Sequence, residues 1–206
     1  MNVELLSITP NAEELIEQAA RTCYQSNDKA VPGNAGKFLS KLLASGHESP
    51  FEHASATFRI TGCSRAMTHQ LVRHRLMSVS QKSQRYVAEK NFDYVIPPSI
   101  PPELVDDFKA DMKIIADMYE KWKKRGIKSE DARFVLPNAC ATDIMITANF
   151  REFRHIFKLR CESHAQWEIQ EIALLMLREL HSRAPSVFRD LADIYLKQVR
   201  PEERQG

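Results

Sequence analysis

The chain has 206 residues, of which 43% are hydrophobic, enough to build one sizeable core without disulfides. Its 29 basic and 27 acidic residues leave a net charge of only +2, so the surface is not dressed throughout for a nucleic-acid backbone or an anionic membrane. Positive charge has to be concentrated locally.

Cys23, Cys63, Cys140 and Cys161 are widely spaced and form no Cys-x-x-Cys pair. The N-terminus, Met1-Asn2-Val3-Glu4, carries no basic segment ahead of an apolar stretch, and no run approaches membrane-spanning length. Reduced thiols, a cytoplasmic location and a single domain over residues 1–206 are expected.

Thr9-Pro10 has the form of an N-cap with proline at the first helical position, and Leu15, Ile16, Ala19, Ala20 and Cys23 recur after it at helical spacing. A second helix carries Phe38, Leu39, Leu42 and Leu43 on one face and stops at Gly46, a residue that suits a left-handed cap. From His53 to Ile60 the period changes to two, with Ala54, Ala56, Phe58 and Ile60 on one side, which predicts a half-buried strand. Residues 64–73 resume a helical pattern through Met67 and Leu71. Arg73, His74 and Arg75 then fall at or just beyond its carboxyl end, where the helix dipole favours cations. From there to Val87 the chain is rich in serine and glutamine without helical periodicity, and reads as an ordered loop leading into an extended stretch.

Pro97-Pro98 and Pro101-Pro102 bracket a stiff connection, after which Phe108, Met112, Ile115, Tyr119 and Trp122 mark a long amphipathic helix ending at Gly126. Ser129-Glu130-Asp131 opens a brief helix that Pro137 closes, and Cys140 to Ala148 has strand composition. Asn149-Phe150-Arg151-Glu152 and Ser163-His164-Ala165-Gln166 both have capping-box form and predict two consecutive helices. The second is apolar on a broad face through Trp167, Ile169, Ile172, Met176 and Leu180. A last helix runs through Phe188, Leu191, Ile194 and Leu196.

Several catalytic plans are absent: there is no Gly-x-Ser-x-Gly elbow, no Walker loop and no Gly-x-Gly-x-x-Gly fingerprint. The histidines include no His-Glu-x-x-His arrangement, and His69 and His74 are spaced so that they do not share a helical face, so no metal site is expected. What remains is a set of basic and amide side chains, densest from Arg73 to Arg85. Guanidinium forks match phosphates bidentately, so the cluster reads as an anion site, with a solvated basic helix end as the alternative. Arg160, set between Leu159 and Cys161, is harder to explain as solvated surface, and an ion pair with a neighbouring acid stays open for it.

Arg73-His74-Arg75, seven further residues and Ser83 match the Arg-His-Arg-x7-Ser signature, and on these residues the chain resembles the flavin-dependent thymidylate synthases. The resemblance extends upstream to His47-Glu48-Ser49-Pro50-Phe51-Glu52-His53 and downstream to Arg160 with Ser163-His164-Ala165-Gln166-Trp167-Glu168. It covers nearly the whole chain. It implies an α+β fold, an antiparallel sheet flanked by helices of the thymidylate synthase-complementing protein type. It further implies reductive methylation of dUMP to dTMP, with FAD bound, NADPH and 5,10-methylene-tetrahydrofolate as co-substrates, and a homotetramer with shared active sites.

Carried over by position, the resemblance places Gln70, Leu71, Val72, Arg73, Gln81, Lys82, Ser83, Gln84, Arg85, Arg133 and Arg160 at dUMP. It places His53, Ser55, Arg73, His74, Arg75, Gln81, Asn149, Arg151 and His155 at FAD. Arg160 matches the family's catalytic arginine, which stabilises negative charge as the uracil ring loses its imide proton and carbon 5 gains electron density. No enzyme cysteine is needed for that plan. Gln81 stands where some members carry glutamate, and His155 where others carry asparagine. Two rivals remain at this level: an RNA- or single-strand-binding module stacking bases on Tyr86, Phe92 and Tyr94, and a flavin oxidoreductase with another acceptor.

Overall fold

The computed structural model describes residues Met1–Lys197; positions 198–206 of the expected domain lie outside the described residues. Four strands, β1 (Asn2–Ile8), β2 (Ser55–Ser64), β3 (Met77–Gln81) and β4 (Ala141–Asn149), form an antiparallel sheet in the order β1-β2-β4-β3. The helices among the described residues are α1 (Ala12–Thr22), α2 (Ala35–Ala44), α3 (Arg65–Leu71), α4 (Val105–Lys124), α5 (Ser129–Ala132), α6 (Phe150–Arg160), α7 (Trp167–Arg183) and α8 (Pro185–Tyr195). The class is α+β, as the sequence predicts.

The chain packs as two compact units. The first holds Met1–Asn2, Ile60–Arg73 and Ser80–Met145; the second holds Val3–Arg59, His74–Val79 and the chain from Ile146 on.

In the first unit, α4 turns a stripe toward Phe92 and Cys140. Met112 and Ala116 are buried there, and Phe108 and Ile115 pack beside them, the spacing expected of one helical face. Tyr94 bridges Phe92 and Phe108 through edge-on ring contacts at 6.3 and 6.0 Å. At the start of α3, the Ser64 hydroxyl accepts from the Met67 amide at 3.0 Å and caps the helix.

In the second unit, Ala54 just before β2 is buried, as are Ala56 and Phe58 on the same side along it. Phe58 meets Phe153 edge-on at 5.5 Å, and Phe150 and Phe157 both meet Phe188. Each such ring, fully buried, stabilises the fold by about 1.5–3 kcal/mol. Ile169, Ile172, Met176 and Leu180 of α7 are buried as their spacing foretold. Among these rings lies Arg154, whose guanidinium donates to both carboxylate oxygens of Asp190 at 2.8 and 2.7 Å and to the Val187 carbonyl.

Four local expectations change. The cap of α1 is Asn11, in the left-handed region at φ 48°, not Thr9. The Thr9 hydroxyl instead accepts from the Ser55 amide at 2.9 Å, a long-range tie that takes the oxygen a cap would need. The cap of α7 is Gln166 rather than Ser163, since its side-chain oxygen accepts from the amides of Glu168 and Ile169 at 3.1 and 3.2 Å. β1 and β3 are strands that the sequence pattern does not announce. Both are edges of the sheet, with only partial burial, so neither needs a clean apolar alternation.

Candidate active site

In the second unit a cleft of about 590 Å³ is lined by Glu48, Glu52, Leu76, Asn149, Arg151, Glu152, His155 and Lys158. Three of the residues expected at FAD, Asn149, Arg151 and His155, therefore share one cavity. The N-terminus of α6 opens there, capped by the Asn149 side chain, which accepts from the Glu152 amide at 2.9 Å. The positive end of the helix dipole and Arg151 share this cleft with three carboxylates, Glu48, Glu52 and Glu152. Arg151 is ion-paired with Glu52, and Lys158 with Glu48 at 3.0 Å. His53 ends a short turn and Ser55 opens β2; both are exposed, as is Arg75.

His74 behaves differently from its two motif neighbours. It is buried, 5% exposed, and its Nε2 accepts from the Arg160 Nε at 3.0 Å. Burial first, then the Arg160 guanidinium and the His155 ring, push its pKa from the ordinary 6.5 to about 4. The ring is neutral at pH 7, and since Nε2 is an acceptor the proton sits on Nδ1. Nδ1 faces the buried Glu152 carboxylate at 3.8 Å, a contact that is not an ion pair while the imidazole is neutral. His155 packs edge-on against the same ring at 5.6 Å. Folding thus brings His74 to His155 and Arg160 of α6, the latter 86 residues away along the chain.

The first unit holds Gln70 to Arg73, Gln81 to Arg85 and Arg133, so the expected dUMP residues other than Arg160 fall in it. The unit boundary runs between Arg73 and His74. Within the first unit a cleft of about 320 Å³ is lined by Gln84 and Arg133 together with Arg65, His69, Phe134, Leu136, Pro137 and Asn138. Glu130 links two of the arginines: its carboxylate takes the Arg85 guanidinium at 3.0 Å, and its carbonyl accepts from Arg133 Nε at 3.0 Å. The Gln81 amide donates to the Thr68 hydroxyl at 2.9 Å, and the Ser83 hydroxyl accepts from the Arg85 amide at 3.3 Å. Val72 and Arg73 are exposed, whereas the Leu71 side chain is fully buried, so Leu71 can offer a ligand only its main chain.

Sequence reasoning passed over Glu152, Lys158, Arg65 and His69. The position of Glu152 inside the capping box on α6 was the available signal for the first, and the placement of Arg65 and His69 one turn apart on α3 for the last two. All four cysteines are free thiols. Burial pushes Cys140 up to about 12, and burial together with the Glu162 charge does the same to Cys161, so neither is a nucleophile at neutral pH. Among the described residues, no three His, Cys, Asp or Glu side chains form a metal-binding group.

The frame is α+β, and its clefts are lined by guanidinium, imidazole, amide and carboxylate groups. The family model described as thymidylate synthase complementing protein matches residues 4–186, and the chain belongs to that family. It is 45% identical over 200 residues to the flavin-dependent thymidylate synthase of Geobacter sulfurreducens, covering 92% of this chain and 86% of that one. It is 40% identical over 213 residues to the enzyme of the same name from Clostridium tetani, with the same two coverages of 92% and 86%. Among solved structures it resembles thymidylate synthase X of Helicobacter pylori with FAD and dUMP. The TM-score is 0.78 at 24% identity, over 93% of this chain and 98% of that one, a likeness of fold.

Proposed function

We propose that this chain is a flavin-dependent thymidylate synthase that reductively methylates dUMP to dTMP. The observation that carries the reading is the 45% identity, over 92% of the chain, to a relative bearing that name. The residues present fit the ligands it requires. The cleft at the α6 N-terminus, with Asn149, Arg151 and His155, has the hydrogen-bond donors to hold the FAD pyrophosphate, and Glu48, Glu52 and Glu152 lie on the same wall. When bound, FAD supplies the redox chemistry, passing reducing equivalents from NADPH to the one-carbon unit of 5,10-methylene-tetrahydrofolate.

The chain's own part is binding and electrostatics. Arg73, Ser83, Arg85 and Arg133 bind the nucleotide, with Ser83 and Arg85 at its phosphate and Gln81 at its sugar. Gln70, Leu71, Val72, Lys82 and Gln84 complete that segment, Leu71 through its backbone. His53, Ser55, His74, Arg75 and Gln81 join the cofactor side. Arg160 stabilises the negative charge that grows on the uracil ring as its imide proton leaves. The neutral imidazole of His74 directs the Arg160 guanidinium without competing for that anion. With Cys140 and Cys161 held protonated, this activation of carbon 5 needs neither thiol.

We also assign residues 1–206 to one catalytic domain, a homotetrameric assembly with shared sites, and a cytoplasmic location; the single family match over 4–186 supports the first. Among the described residues no helix is long and apolar enough to cross a membrane. The test is direct. Purified protein should be yellow, release flavin on denaturation, and release hydrogen from carbon 5 of dUMP in the presence of methylene-tetrahydrofolate and NADPH. A colourless protein that cannot be reconstituted with FAD and binds RNA tightly would overturn the reading.

A further inference from the structure

Glu89 is a buried carboxylate of the first unit, 3% exposed, to which neither the resemblance nor the cleft geometry gives a task. Its Oε2 accepts from Lys82 Nζ at 3.1 Å; Oε1 lies 3.0 Å from the same nitrogen but off the hydrogen-bonding direction. A carboxylate withdrawn from water is costly unless paired, so the pair to Lys82 is a strong restraint on the segment that carries Lys82. Glu89 is itself anchored. Its amide donates to the hydroxyl of Tyr119 on α4 at 3.4 Å, and Tyr119 is only 1% exposed.

Between Lys82 and Glu89 the chain folds back on itself. The Ser83 carbonyl accepts from the Val87 amide at 3.0 Å, and the Ser83 hydroxyl from the Arg85 amide at 3.3 Å. The ion pair therefore closes a loop whose interior holds Ser83 and Arg85, the two groups expected at the nucleotide phosphate. Glu89 also balances a second cation, since its negative charge acts on the Arg65 guanidinium that lines the same unit's cleft.

We propose that Glu89 is a positioning residue for nucleotide binding. Through Lys82 it latches the 82–89 loop onto α4 in the shape that presents Ser83 and Arg85 to the phosphate of dUMP. The inference rests on the function proposed above. Loops that are ordered before the ligand arrives bind more tightly, because less conformational entropy is lost on binding.

The experiment is steady-state kinetics on flavin-loaded protein, with melting temperature and flavin content measured alongside, for Glu89→Gln, Lys82→Met and the double variant. Loss of one charge-assisted bond should raise the KM for dUMP about tenfold in Glu89→Gln, with kcat within about twofold and flavin retained. Because the two residues act as one latch, the double variant should have a KM no higher than the worse single variant. An unchanged KM in Glu89→Gln, a fall in kcat at constant KM, or fully additive effects would overturn the proposal. Should Glu89→Gln fail to fold, Glu89→Asp keeps the charge while shortening the reach; an intermediate rise in KM is expected, and a wild-type KM counts against the latch. Wild-type protein that neither binds dUMP nor forms thymidylate would instead sink the proposed function itself.

Discussion

Arg160 donates from Nε to Nε2 of His74 at 3.0 Å, so the motif histidine and the distant arginine meet as acceptor and donor inside the second unit. The groups that face His74 are Arg160, His155 and Glu152, all from α6. Its pKa of about 4 lies below the 6.5 of an unfolded histidine, so between those values the unfolded chain binds more protons. The contribution to stability is complete above pH 6.5 and is lost as pH falls toward 4, the loss reaching roughly 3 kcal/mol. Urea unfolding across that range should show the slope, and His74→Gln should flatten it; equal slopes in the two proteins would contradict the assignment.

Replacing Arg160 by alanine should reduce thymidylate formation about 100-fold or more, the usual cost of removing a group that stabilises a developing anion. Flavin should remain bound. In the same variant the His74 pKa should rise, because a hydrogen-bond donor and a nearby positive charge are both removed, and this is measurable by NMR titration. Joint loss of flavin and folded structure would show that the arginine is structural instead.

The Arg154 guanidinium is a separate, purely structural case. Burial alone would push the Asp190 carboxyl up, but the bidentate hydrogen bonds and charge of Arg154 hold it below its ordinary value. Asp190→Ala leaves a buried cation without its partner and should cost about 3 kcal/mol in denaturant unfolding. Because its folded pKa is depressed, this stabilisation is present above the unfolded value of 3.8 and fades as pH falls through the lower folded one. The double variant Arg154→Met, Asp190→Ala should recover part of the loss.

Thiol chemistry should divide by burial. Treated with iodoacetamide at pH 8, exposed Cys23 should be alkylated, while Cys140 and Cys161, held near 12, stay unmodified in folded protein. Mass spectrometry reads this out. Thymidylate formation should survive the modification, and its loss on labelling Cys23 alone would argue for a thiol in the reaction.

The helices and the two inner strands were readable in advance because their signals are local. Leu39 with Leu42 and Leu43, the alternation from Ala54 to Ile60, and the stripe from Phe108 to Tyr119 each state a period within a few residues. The edge strands β1 and β3 were not readable, since a strand with only partial burial needs little apolar pattern. Thr9 does not cap α1 for a related reason: its hydroxyl is claimed by Ser55, 46 residues away.

By itself the sequence determined the main helices, the two inner strands, the cap at Asn149 and the Arg-His-Arg-x7-Ser motif, all properties of neighbouring residues. Only the tertiary structure decided that the motif divides after Arg73, that His74 is buried and neutral, and that Glu89 pairs with Lys82. The reason is physical. A side chain's protonation and the worth of its charge depend on the dielectric around it and on partners brought near by folding, and neither is written in its immediate neighbours along the chain.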